Sequence, residues 1–340
     1  MSSMKRVYLV KLCLCANPYL PVFFVLLASN GISRSAASTA IAIGTLAMFV
    51  GDVLTSALSD RFGPRRVVAV CGLFQAIAIG LLPSCSSVGE LCWIEVMIGL
   101  TFPAMHGADS KWLRHLSTSP SAERWSHSIA WTSQLLSAAV GGMLLFRPTY
   151  ACYLSAAIYV FGAFQTQRLP DIKHDLIRVC DHRQPQAIRA VLTPERLQDT
   201  IVFSLLLGTV NSVPWLLQLH ASAMYTDHPF VFCLIQMLGA VLSIAGSLFH
   251  NSGTRKRVIV VLVLIIASVY IYAVQKFSSP ILWLPIAAGM VLRGSVSVAA
   301  RESVLAGIDS TGPVASVTMI VNAQSKVVQA VLLAILGRAV

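Results

Sequence analysis

Eleven apolar runs, most of them about 20 residues long, fill this chain, and short segments carrying charge, Pro or Gly separate nearly all of them. A helix of that length crosses the roughly 30 Å hydrocarbon core of a bilayer. Only 11% of the 340 residues are charged and 56% are hydrophobic, whereas about a quarter of an ordinary soluble chain is charged. The runs show no alternation of period two, so they do not read as barrel strands. In hydrocarbon every backbone polar group must be satisfied within the structure, which leaves membrane-spanning helices as the fold class.

The spans fall near residues 6–29, 36–58, 67–84, 91–113, 126–146, 149–166, 199–221, 229–249, 258–275, 280–300 and 313–337. The N-terminus, MSSMKRVYLVKLCLC, has the basic start of a secretory signal, but no small-x-small cleavage site follows and the apolar run continues to Ala28, so it reads as a retained first span. Positive residues stay on the cytoplasmic side during insertion. With the N-terminus inside, the inner flanks hold all of the 25 Lys and Arg except Arg34, Arg147, Lys276 and Arg338 on the outer side and Lys326 within a span. The net charge of +11 is thereby explained by topology, and no nucleic-acid partner follows from it. The longest hydrophilic stretch divides the chain into an N-terminal six-helix bundle (1–167), a central cytoplasmic loop (168–198) and a C-terminal five-helix bundle (199–340). NPYLP at 17–21 has an echo in NSVP at 211–214, and SDRFGPRR at 59–66 has one in NSGTRKR at 251–257, as a duplicated half would leave.

SDRFGPRR is a charged turn between the second and third spans. An acid, Arg, an aromatic, Gly and two further Arg after a Pro stand in order. This arrangement resembles the loop signature of the major facilitator superfamily of secondary transporters, with Ser56 where the first Gly usually stands and Pro64 in a slot that is usually basic. DVLTSALSDRFG (52–63) and HGADSKWL (106–113) resemble stretches at the inner ends of helices 2 and 4 in a drug-efflux-like branch of that family, while SAAVGGMLL (137–145) keeps only Gly141 and Gly142 of a Gly-rich helix 5 segment. The resemblance implies two pseudo-symmetric helix bundles and alternating access. It assigns a gating role to Asp60, Arg61, Gly63, Arg65 and Arg66. Asp60 is then expected to face the inner start of the eleventh span, where Ser310, Thr311, Gly312 and Pro313 carry the signals of a helix N-terminus. The family normally has a twelfth span, and here it is expected to be missing.

Ionisable residues within spans are costly and mark transport pathways. Lys326 lies near the middle of the eleventh span, too deep to reach water easily. It reads as a substrate-binding charge or as one half of an ion pair. Asp52, in the second span, is the natural proton-coupling carboxylate and a partner for Lys326; Asp109, which Lys111 could pair with, and Glu95, near enough to the outer end of the fourth span to reach water, are further candidates. Polar and aromatic residues gather in spans 1, 5, 7, 8 and 11, which line the central cavity in the family: Asn17, Tyr19, Trp131, Gln134, Asn211, Trp215, Gln218, Gln236, Asn322 and Gln324. Each alone is more often a helix-packing hydrogen bonder than a ligand. Pro18, Pro21 and Pro214 are placed to bend the first and seventh spans.

The eight cysteines show no CxxC pairing, and Cys180 with His174 and His182 reads as solvated loop, so neither metal nor cofactor is expected. With no GxxxxGK[ST] motif for a nucleotide, the expectation is a non-enzymatic, monomeric, multi-pass protein of the inner or plasma membrane, with protons, a small molecule and the bilayer as its partners. Proton-coupled export of an amphipathic or anionic compound is expected first. Import of a metabolite and a non-transporting membrane sensor are the alternatives.

Overall fold

The computed structural model describes residues 3–104, 112–113, 115–116, 120–170, 172, six positions between 201 and 211, 230–248 and 324–334. All regular structure among them is helical. The ninth and tenth spans and the central loop beyond residue 172 lie outside the described residues.

The first span is broken into two helices at Pro18 and Pro21, as the sequence suggests. Helix α1 (Ser3–Leu14) ends before Pro18, a short 3-10 turn covers Leu20–Val22, and α2 (Phe23–Ser29) carries the chain on. Pro18 and Pro21 have no N–H to continue the ladder, which breaks the helix here. Gly31, at φ +74, turns the chain. Ser33 then caps α3 (Arg34–Phe62), its hydroxyl accepting from the Ala36 N–H at 3.3 Å.

α3 is longer than the apolar run that announced it, because SDRF forms its last turn and PRR opens α4 (Pro64–Leu81). The eight-residue turn is thus mostly helix. Gly63 alone joins the two, at φ +84 and ψ 144, a conformation that a residue with a Cβ adopts only under strain. Pro64 takes the first position of α4, where its missing N–H costs nothing. Arg34–Thr55 and Pro64–Ser84 are each long and apolar enough to cross a membrane.

α5 (Val88–Thr101) starts on a capping box: Ser87 accepts from the Glu90 N–H while the Glu90 carboxylate accepts from the Ser87 N–H at 3.2 Å. α6 (Pro120–Met143) and α7 (Pro148–Thr166) follow, joined across Arg147, whose guanidinium lies 5.8 Å from the centre of the Tyr150 ring. α8 (Phe230–Leu248) and α9 (324–334) represent the C-terminal half.

In the first half α3 packs on α5, and α4 and α1 pack on α7. A continuous core runs through Leu14, Phe23, Leu27, Ile79, Leu91 and Tyr159. The face away from that core is apolar and exposed, with Leu46, Val50, Val53 and Leu54 along α3 and Val70, Phe74, Ile77 and Leu81 along α4. Stripes at helical spacing that are apolar and yet exposed fit a lipid-facing surface.

Candidate functional site

The two halves meet along α6 against α8 and α3 against α9. At the Arg34 end of α3, the buried Ser38 hydroxyl donates to the Leu333 carbonyl of α9 at 3.2 Å. Further along α3 lies Asp52, only 5% exposed, with no hydrogen-bond partner for Oδ2 among the described residues. The charge that acts on its carboxyl is the Lys326 ammonium of α9. Folding therefore brings together two ionisable residues that are 274 positions apart.

Lys326 is anchored within its own half. Its Nζ donates to Gln329 Oε1 at 3.4 Å, and Gln329 Nε2 donates to the Asn211 carbonyl at 3.3 Å. That carbonyl lies three residues before Pro214, where the seventh span is expected to bend. Ser204 donates to Gln324 Oε1 at 2.8 Å, so a second polar contact ties the seventh span to α9.

On the other side, the break in the first span is held by side chains of α6 and α7. The N–H of Asn17 donates to Ser137 Oγ at 2.8 Å, and that of Tyr19 to Ser155 Oγ at 3.0 Å. These are donors that an unbroken helix would have satisfied. The Tyr159 hydroxyl donates to Asn17 Oδ1 at 2.8 Å, and Asn17 Nδ2 donates to the Cys15 carbonyl at 3.1 Å. Asn17 thus serves the break with both ends of its amide.

Tyr19 is buried with its ring edge-on to Phe23, Trp131 is buried on α6, and Gln134 is half-buried on the same helix. Glu95 is 7% exposed, where the sequence suggested access to outer water. Close packing of α3 on α5 encloses it.

Of the gating motif, Arg61 and Arg66 are exposed, Arg65 is half-buried and Gly63 forms the joint. The Arg61 guanidinium sits 5.2 Å from the centre of the Phe62 ring. Asp60 stands in the last turn of α3, and the segment 310–313 that it is expected to face lies outside the described residues. Asp109, Trp215, Gln218 and Asn322 also lie outside them.

Sequence reasoning missed three kinds of residue. Lys11 reads as an inner-flank charge yet is 6% exposed, and its signal was a place one turn deeper than Lys5 and Arg6. Gln75 of α4 is fully buried, with neither amide atom hydrogen-bonded among the described residues. Ser137, Ser155 and Tyr159 serve the break from helices far along the chain, and nothing local marks them.

Helices from two halves, a broken first span and a charge pair across the interface match a known architecture. The sequence profile described as Major Facilitator Superfamily matches residues 12–328. The chain belongs to the major facilitator superfamily. No curated protein sequence matches it significantly. Among solved structures, the D323A mutant of the nucleoside transporter NupG superposes with a TM-score of 0.73 at 13% identity, covering 99% of this chain and 90% of that one. The human organic anion transporter MFSD10 (TETRAN) gives 0.70 at 17%, covering 100% and 95%. A D-xylose–proton symporter gives 0.64 at 11%, covering 98% and 87%. At these identities the likeness establishes the all-helical fold alone, and membership of the family makes the chain a multi-pass membrane protein.

Proposed function

We propose that this facilitator couples the movement of a small amphipathic or anionic compound to protons, with Asp52 and Lys326 as the coupling pair. The observation that carries this reading is the buried Asp52 carboxyl on α3, acted on by the Lys326 ammonium of α9 across the interface between the halves. A proton on Asp52 removes one member of the pair. The half-buried Lys326 ammonium is then no longer offset by the Asp52 charge, and a substrate carboxylate or phosphate can take that place. When the substrate leaves and the proton follows, the pair reforms and draws the halves together.

The drug-efflux-like motifs DVLTSALSDRFG and HGADSKWL favour export. The charge pair favours a second reading. Proton and anion each make room for the other, and by reciprocal linkage they bind on the same side of the cycle. Cotransport of an anion with protons is uptake under an inward proton gradient, whereas proton-driven export through the same pair suits a cation that competes for Asp52. The organic anion transporter and the proton symporter among the structural neighbours are compatible with the first of these.

Reconstituted vesicles test the reading directly. With acid imposed on one side, the protein should move organic anions together with protons. Asp52→Asn should abolish gradient-driven accumulation and leave substrate exchange measurable. Movement of neither compound nor proton across a broad panel sinks the transporter reading, and unchanged accumulation by D52N clears Asp52 of the coupling role. The gating motif, the inner or plasma membrane, the cytoplasmic N-terminus and the monomeric state belong to the same proposal. So does the binding role of Tyr19, Trp131, Gln134 and Asn211.

A further inference from the structure

The face of α5 that packs against α3 holds a buried acid that the Asp52–Lys326 pair leaves unused. Glu95 occupies a niche made by a missing side chain: a Cβ built on Gly44 would lie 2.8 Å from Glu95 Oε2 and 2.9 Å from the Glu95 carbonyl. Gly51 and Gly99 complete the seam, since a Cβ at Gly51 would meet the Leu100 carbonyl at 2.7 Å and one at Gly99 would meet the Gly44 carbonyl. The carboxyl is 93% buried by the same close approach.

Among the described residues, the ionisable groups near its carboxyl are Tyr19 of the first span, Cys85 of the α4–α5 connection and Cys92 of its own helix. None of these is a cation. The stretch of α3 packed against it, Ile41–Phe49, carries no charged residue, and neither does α4 beyond Arg65 and Arg66 at its far end. A lone carboxylate in such surroundings costs several kcal/mol, and the neutral acid avoids most of that cost.

Asp52 lies eight residues beyond Gly44 on α3, about 12 Å along the helix axis, so the two acids are separate stations.

We infer that Glu95 is a second proton-binding site, housed wholly in the N-terminal half. It deepens the proton-coupled reading and rests on it for its role in transport, but proton binding itself is measurable without any substrate.

The test is acid-minus-alkaline infrared difference spectroscopy on the full chain in lipid nanodiscs. The protonated-carboxyl band should lose one component in Glu95→Gln and a different one in Asp52→Asn. A Glu95→Gln spectrum that superimposes on that of the unmodified protein overturns the proposal. Should that variant fail to fold, Glu95→Asp keeps an acid in the niche and should shift the same component; an unshifted band again overturns it. Loss of the Glu95 component with proton-driven transport intact in D52N separates the two readings, because the site then stands while the Asp52 pair falls.

Discussion

At the scale of single residues, the hydroxyls and the one amide that repair the break in the first span are more telling than the charges. Pro18 and Pro21 interrupt the helical ladder, and Ser137, Ser155 and Tyr159 supply partners from two other helices. Tyr159→Phe would leave Asn17 Oδ1 buried without its donor, at a cost of about 1–3 kcal/mol. Thermal unfolding in detergent should show the loss, and Asn17→Ala combined with it should cost less than the sum of the two single changes, because both remove the same contact. NPYLP announced the break in the sequence. Its repair could not be read there, since a Ser in a span is usually a helix-packing hydrogen bonder and nothing near Ser137 or Ser155 names its partner. Lys326 shows the opposite case. Its depth in an apolar run marked it at once, while its contact with Gln329 and the proximity of Asp52 required the folded chain.

At the scale of helices, glycines set distances and caps set starting points. The seam of α3 and α5 tolerates no added methyl at Gly44, because the nearest atoms include the Glu95 backbone carbonyl at 2.9 Å, which cannot swing away. Gly44→Ala is expected to destabilise the protein by about 1–3 kcal/mol through overpacking, read as a lower unfolding temperature. The start of α5 makes a pH-dependent contribution. Hydrogen bonds from Ser86 and Ser87 hold the Glu90 carboxyl below its ordinary value of 4.5. A lowered folded-state value means that the contribution is present above the ordinary glutamate range and disappears as pH falls through the folded value. The difference in melting temperature between the unmodified protein and Glu90→Gln should therefore shrink on acidification; a constant difference would mean that the carboxylate has no part in the cap. The continuation of α3 through SDRF to Gly63 was not legible in the sequence, because charge and a Pro usually mark a loop, whereas here the chain reverses on a single residue.

At the scale of the whole molecule, the Ser38–Leu333 contact ties the Arg34 end of α3 to α9. Alternating access requires that contact to open once in each cycle. A Ser38→Cys, Leu333→Cys pair should cross-link on mild oxidation, stop transport, and recover it on reduction; full transport by the cross-linked protein would exclude opening at this place. Sequence by itself determined the membrane-spanning character, the helices and the family. Each follows from composition and from patterns within one span or one loop, where local physics decides. Tertiary structure decided which polar residues meet. Asn17 with Tyr159, Ser38 with the Leu333 carbonyl, and Glu95 with Gly44 are all long-range pairs. Inside an apolar bundle each polar group must find a partner on another helix or accept a proton, and the choice depends on how closely the helices approach, which their separate sequences do not state.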